Sequence, residues 1–154
     1  MRGSAIFSPC RRYRYVLERT WDDALPGALI VGLNPSTADE TTDDPTIRRC
    51  IGFAKEWGCG GVRVLNLFAF CATRPEDLWK ARDPVGEDND RWLQRASREA
   101  RLTVAAWGVH GHGHERAATV IGMLARPLCL GLTKDGAPRH PLYVKAGTVL
   151  RPVA

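Results

Sequence analysis

Three polar side chains interrupt sequence that is otherwise apolar or turn-forming, and their types suit recognition of an organic ligand. Asn34 ends the run Ala28-Leu29-Ile30-Val31-Gly32-Leu33, Asn66 breaks the run from Val62 to Phe70, and His140 stands between Arg139 and Pro141 in a turn-rich tail. A side-chain amide offers both a donor and an acceptor, which is what the edge of a nucleobase requires. Left buried and unpaired, an amide costs about 1–3 kcal/mol, so Asn66 either ties neighbouring loops together or awaits a ligand. Ser36 and Thr37, just past Pro35, add hydroxyls beside Asn34. Asp43 is the candidate acid or base: its neighbour Asp44 precedes Pro45 and is claimed by a helix start, a duty Asp43 does not carry. Structural duties compete for the other residues too, since an Asn before proline commonly caps its own turn and a His before proline can bond a backbone carbonyl.

Two further groups invite metal chemistry. Alternate imidazoles in His110-Gly111-His112-Gly113-His114 can converge on zinc, but the glycines make the stretch flexible and only Glu115 lies near enough to complete a set. The same glycine-rich stretch, opening a helix, could instead receive a phosphate on its free N–H groups. The five cysteines, Cys10, Cys50, Cys59, Cys71 and Cys129, are scattered, with no Cys-x-x-Cys spacing. Most of them read as reduced, buried small hydrophobes rather than cluster ligands, and neither metal nor cofactor is expected.

The elements that must position these residues follow from periodicity. Ala28 to Leu33 is too short for a helix and is bounded by Pro26-Gly27 and Asn34-Pro35, so it reads as a strand buried on both faces. Asp44-Pro45 then starts a helix in which Ile47, Cys50, Ile51, Ala54 and Trp57 share one face, and Gly58 ends it. A second strand covers 62–70, a helical turn 74–79, a helix 87–101, a third strand 103–108, a helix 114–125 and a fourth strand 127–131. Arg11 to Trp21 alternates arginine with Tyr13, Tyr15 and Leu17 and reads as an exposed strand at or beside a sheet edge. Strands alternating with helices imply crossover connections and a mostly parallel sheet between helical layers. The expected fold is thus a single three-layer α/β/α domain over 1–154 with a central four-stranded sheet. Its ligand crevice lies at the carboxyl ends of the strands, where Asn34, Asn66 and His140 all fall.

The chain has 154 residues, 44% of them hydrophobic and 25% charged, as in an ordinary globular domain. Twenty-two Lys and Arg against 17 Asp and Glu give a net charge of +5, which favours an anionic partner such as nucleic acid or a nucleotide. No apolar stretch approaches the roughly 20 residues of a membrane helix, and Met1-Arg2-Gly3-Ser4 leads into no signal-like apolar region. A cytoplasmic location without membrane contact is expected, and no protein partner can be inferred.

Gly32-Leu33-Asn34-Pro35-Ser36 resembles the water-activating loop of the uracil-DNA glycosylase superfamily, whose mismatch-specific members carry a Gly-x-Asn-Pro-Gly version. Val64-Leu65-Asn66 is similar to that superfamily's strand-borne asparagine, Arg139-His140-Pro141-Leu142 to its late His-Pro loop, and Val104-Ala105-Ala106-Trp107-Gly108 to the strand before that loop. Ser36 replaces the usual glycine or tyrosine, Leu142 stands where serine is usual, and the aromatic that stacks on the flipped base has no clear equivalent. The chain from Phe7-Ser8-Pro9-Cys10 through His140-Pro141-Leu142-Tyr143 more closely resembles the family called domain of unknown function 1643, which brings no established activity.

The superfamily resemblance implies a glycosylase-like fold and a protein that recognises an extruded base, in DNA rather than RNA, and cleaves its N-glycosidic bond. Asn34 then holds the attacking water, with Asp43 assisting, while Asn66 reads the base edge and His140 donates to the oxygen on which charge develops. Leu142 or Tyr143 fills the gap left in the stack, Arg48, Arg49 and Arg139 contact phosphates, and Ser36 and Thr37 add neutral contacts. A non-catalytic nucleotide-binding module and a nucleoside hydrolase or transferase are the alternatives from other classes.

Overall fold

A computed structural model describes residues 1–153. In chain order its elements are β1 (Arg2–Phe7), β2 (Arg14–Thr20), β3 (Gly27–Gly32), α1 (Pro45–Glu56), β4 (Gly61–Asn66), α2 (Pro75–Trp79), α3 (Asn89–Glu99), β5 (Leu102–Ala105), α4 (Glu115–Met123), β6 (Leu128–Cys129) and β7 (Arg151–Pro152). Short 3-10 turns at Val109–Gly111 and Pro141–Tyr143 complete it.

The strands form one seven-stranded sheet in the order β1-β2-β4-β3-β5-β6-β7. Its middle four, β4-β3-β5-β6, are parallel. These are the four strands expected from the apolar runs, but a four-stranded sheet is too small a description. Two antiparallel strands extend one side and a third extends the other.

Alternation along the central strand decides what covers each face. Ala28 and Ile30 of β3 join a cluster with Ile47, Cys50, Ile51, Phe53 and Ala54 of α1. Leu29 and Val31 point the other way, into a cluster with Leu93 and Ala96 of α3 and Val120 beside Leu124 at the end of α4. Each fully buried Leu, Ile or Val contributes roughly 1.5–3 kcal/mol, so a strand apolar on both sides is held by both helical layers. α1 starts where Asp44 accepts the Ile47 N–H (2.9 Å) with Pro45 in the first turn, as the sequence dictates. No helix among the described residues is long and apolar enough to cross a membrane.

One expectation is half right. The basic segment at Arg11–Trp21 holds a strand beside a sheet edge, next to β1, but it is not exposed: β1 pairs along it, and Arg14 through Leu17 and Arg19 are all buried. The register with β1 runs Ile6↔Val16 and then Phe7↔Arg14, leaving Tyr15 as an extra residue on β2. Such a bulge turns later side chains to the opposite face. Tyr15 and Val16 consequently pack on the α3 side, whereas Arg14 reaches the α1 side together with Leu17 and Arg19.

Candidate functional site

β3 and β5 leave the sheet toward opposite faces, β3 toward α1 and β5 toward α4, and a crevice opens between such diverging exits. The crevice is a cavity of about 550 Å³, within the range of small-molecule sites. Asn34, Asn66 and His140, from three distant parts of the chain, all line it.

Backbone bonds hold the floor. Leu67 N–H donates to Gly32 O (2.9 Å) and Phe68 N–H to Leu33 O (3.0 Å), so the exits of β3 and β4 run side by side. Asn89, fully buried on α3, donates from its amide to the carbonyls of Asn66 (3.0 Å) and Leu67 (3.1 Å). Arg116 of α4 adds a bond to Leu67 O (2.8 Å) and pairs with Asp90 (2.6 Å). Those contacts fix the backbone of Asn66 and leave its side chain alone. Asn66 is 3% exposed, and its Nδ2 has no hydrogen-bond partner. A Cβ on Gly32 would sit 3.0 Å from Asn66 Oδ1, so the glycine makes the room this amide occupies.

The other two residues are oriented differently. Asn34 donates both amide hydrogens' worth of bonding to the backbone, to Ala72 O (2.8 Å) and Pro35 O (3.0 Å), and its Oδ1 accepts no bond among the described residues. The turn-capping duty and an available acceptor therefore coexist in one side chain. His140 Nδ1 accepts the Leu142 N–H (3.2 Å), which places the proton of the neutral ring on Nε2. Burial pushes the His140 pKa below its ordinary value, with Asp44 pulling weakly the other way. Gly108 abuts His140: it adopts φ 72°, donates to Pro138 O (2.8 Å), and would press a Cβ to 3.3 Å from that of His140.

Of the remaining candidates, Ser36, Arg139, Leu142 and Tyr143 line the cavity, the last two standing 44% and 80% exposed at its mouth. Thr37 and Arg48 are exposed and do not line it. Asp43 does not line the cavity, and its carboxylate accepts a bond from Arg19 Nε at 2.8 Å. Among the described residues, the one carboxylate in the wall is Asp44, the cap of α1. Arg49 is used internally, bonding Pro141 O (3.3 Å) and Val144 O while its guanidinium lies 4.9 Å from the centre of the Phe53 ring.

The histidine triplet diverges. His110 lines the cavity, whereas His114 stacks on Trp79 with ring centroids 5.1 Å apart. Among the described residues no three His, Cys, Asp or Glu side chains cluster as metal ligands. Cys50 also lines the cavity, but burial pushes its thiol up to about 12, so it is no thiolate nucleophile at neutral pH.

The wall also holds residues that the sequence does not single out as site candidates, Trp107 and Arg14 among them. Trp107, buried behind β5, supplies an aromatic surface, and Arg14 enters from β2. Because β2 runs antiparallel to β4, its first residue lies where the parallel strands end, beside the Ala69 carbonyl that its N–H bonds at 2.9 Å. A family model described as "protein of unknown function (DUF1643)" matches residues 14–142, a stretch that begins at Arg14 and ends at Leu142 on the cavity rim. The chain belongs to the DUF1643 family. Nearly the whole cavity wall of this DUF1643 protein, apart from Tyr143, falls inside the matched stretch. No curated protein and no solved structure matches the chain.

Proposed function

We propose that this DUF1643 protein takes an extruded nucleobase of DNA into the cavity and hydrolyses its N-glycosidic bond, in the manner of the uracil-DNA glycosylases its loops resemble. The observation that carries this reading is Asn66, a residue of the wall of a ligand-sized cavity whose buried Nδ2 has no partner among the described residues. Such a group is destabilising unless something binds it, and the edge of a keto base offers the matching oxygen. Trp107 gives the base an apolar wall.

Heterolysis of the C1′–N bond leaves the electron pair on the base and positive charge on the sugar. Water then bonds to C1′ and its proton leaves to solvent. His140 Nε2–H donates to the base oxygen on which negative charge develops, and a neutral imidazole does so without surrendering its proton. Asn34 Oδ1 accepts from the water and aligns it. An amide is a weak base, so turnover is slow, and Asp44 in the wall supplies negative charge against the developing oxocarbenium. Leu142 and Tyr143 wedge into the vacated stack, and Arg139 meets a phosphate.

The test is incubation with single strands and duplexes carrying uracil, hypoxanthine, xanthine or mismatched thymine, followed by scoring of alkali-labile sites. Base release from at least one substrate is expected, reduced about 100-fold or more in His140→Ala and Asn66→Ala, the usual loss when one transition-state donor is removed. Asn66→Ala deletes an unsatisfied donor, so its stability should change by less than about 1 kcal/mol. Binding without release indicates a silent reader, and release only from free nucleosides indicates a nucleoside hydrolase; either result sets the DNA reading aside.

A further inference from the structure

Three arginines of this fold are buried, and two of them show what a structural arginine looks like. Arg19, 4% exposed, bonds Asp43 through Nε (2.8 Å), Glu18 O through Nη1 (2.9 Å), and the carbonyls of Asp39 and Thr42 through Nη2. Arg116 bonds Leu67 O and pairs with Asp90. Arg14 does neither. It is 2% exposed, its Nη1 donates to Ala38 O (3.1 Å), and among the described residues its Nε has no partner and no carboxylate forms an ion pair with it.

A buried guanidinium left this way is costly, because the lost hydration is not replaced. The β2 bulge at Tyr15 is what turns Arg14 onto the cavity side, so the cost is built into the register of the sheet. The charged and titratable groups around it do not neutralise it. Arg19 repels it, Cys50 and Cys71 are thiols held protonated by burial, and Asp44 acts on it only from beyond ion-pair distance while capping α1. Its depth also sets the ligand: a group reaching Arg14 must enter the cavity, which a backbone phosphate of duplex DNA running over the rim does not.

We propose that the cavity is specific for a ligand carrying an anionic oxygen group, a carboxylate or a phosphate, and that Arg14 is the residue that binds it. A planar guanidinium meets either group through paired N–H donors. This proposal rests on the cavity being a nucleobase site, and it narrows the substrate to a base with an acidic substituent or to a nucleotide whose own phosphate enters.

The experiment is titration calorimetry at pH 7.5 with four probes: uracil, 5-carboxyuracil, uridine 5′-monophosphate and inorganic phosphate. It is run on the wild type, on Arg14→Gln and on Arg14→Lys. Wild type should bind 5-carboxyuracil or the monophosphate at least tenfold more tightly than uracil, and which of the two gains identifies carboxylate or phosphate. The gain should collapse to about one in Arg14→Gln and partly survive in Arg14→Lys, which a structural role for Arg14 does not predict. Uracil binding with no gain for either charged probe overturns the proposal and leaves the nucleobase site standing. Arg14-dependent binding of inorganic phosphate alone, without any contribution from the base, keeps the assignment of Arg14 to an anionic group and overturns both the nucleobase reading and the narrowing of the substrate that rests on it. Should Arg14→Gln fail to fold, the wild-type ratio of charged to neutral probe decides, and a ratio near one is fatal.

Discussion

His140 is where chemistry and stability meet in one side chain. Its Nδ1 is occupied by the Leu142 N–H, and burial holds the ring below its ordinary pKa of 6.5. Between that depressed value and 6.5 the unfolded chain carries a proton on this histidine that the folded chain does not. Stability therefore falls as pH drops through the window and is unaffected by His140 above it. Urea denaturation at a series of pH values from 8 to 5 should show this loss, and His140→Gln should flatten it; an unchanged pH slope in the variant rules the account out. Asn34, Asn66 and His140 were legible in the sequence because each interrupts an apolar or turn-forming run. Arg14 was not, since its burial follows from a one-residue bulge that alternation cannot show. The position of Asp43 off the wall was hidden for a related reason: its partner, Arg19, lies 24 residues earlier.

At the level of elements, the His140 loop is not held by the sheet alone. Arg49 on α1 ties it through the carbonyls of Pro141 and Val144, and this places Arg49 in the scaffold rather than among phosphate contacts. Arg49→Ala should cost about 1.5–3 kcal/mol, the usual range for hydrogen bonds to a charged group, and should slow base release roughly tenfold or more by loosening His140. Arg48→Ala, one residue away but exposed, should stay within about 0.5 kcal/mol of wild type. Equal losses in the two variants would show that α1 charge, not the tether, matters. Helix starts and the four parallel strands were readable because Asp44-Pro45 and the apolar runs are local signals. β1 and β7 were not: Arg2-Gly3-Ser4-Ala5 has little strand character of its own, and β7 is two residues, one of them proline, which suits only an edge. Both are strands by virtue of the neighbours they pair with.

At the level of the whole molecule, the question is whether the +5 charge serves the cavity or only the surface. Arg139 lines the mouth, is exposed, and forms no ion pair among the described residues, and Tyr143 and Leu142 stand exposed beside it. An apolar wedge next to a free cation at the rim of a deep cavity suits a strand passing over the opening, with its backbone near Arg139 and one base turned inward. Each phosphate neutralised releases counterions, lowering the slope of log K against log salt by about 0.7–0.9. If DNA is the ligand, binding should weaken steadily between about 50 and 200 mM salt. Arg139→Ala should reduce the slope by about one and weaken all sequences alike, whereas Tyr143→Ala should weaken binding without changing the slope. Salt-insensitive binding would mean that the ligand is a free base or nucleotide and that the rim cation is ordinary surface charge. The buried Arg14, screened from added salt by its depth, would then be the only cation that matters for recognition.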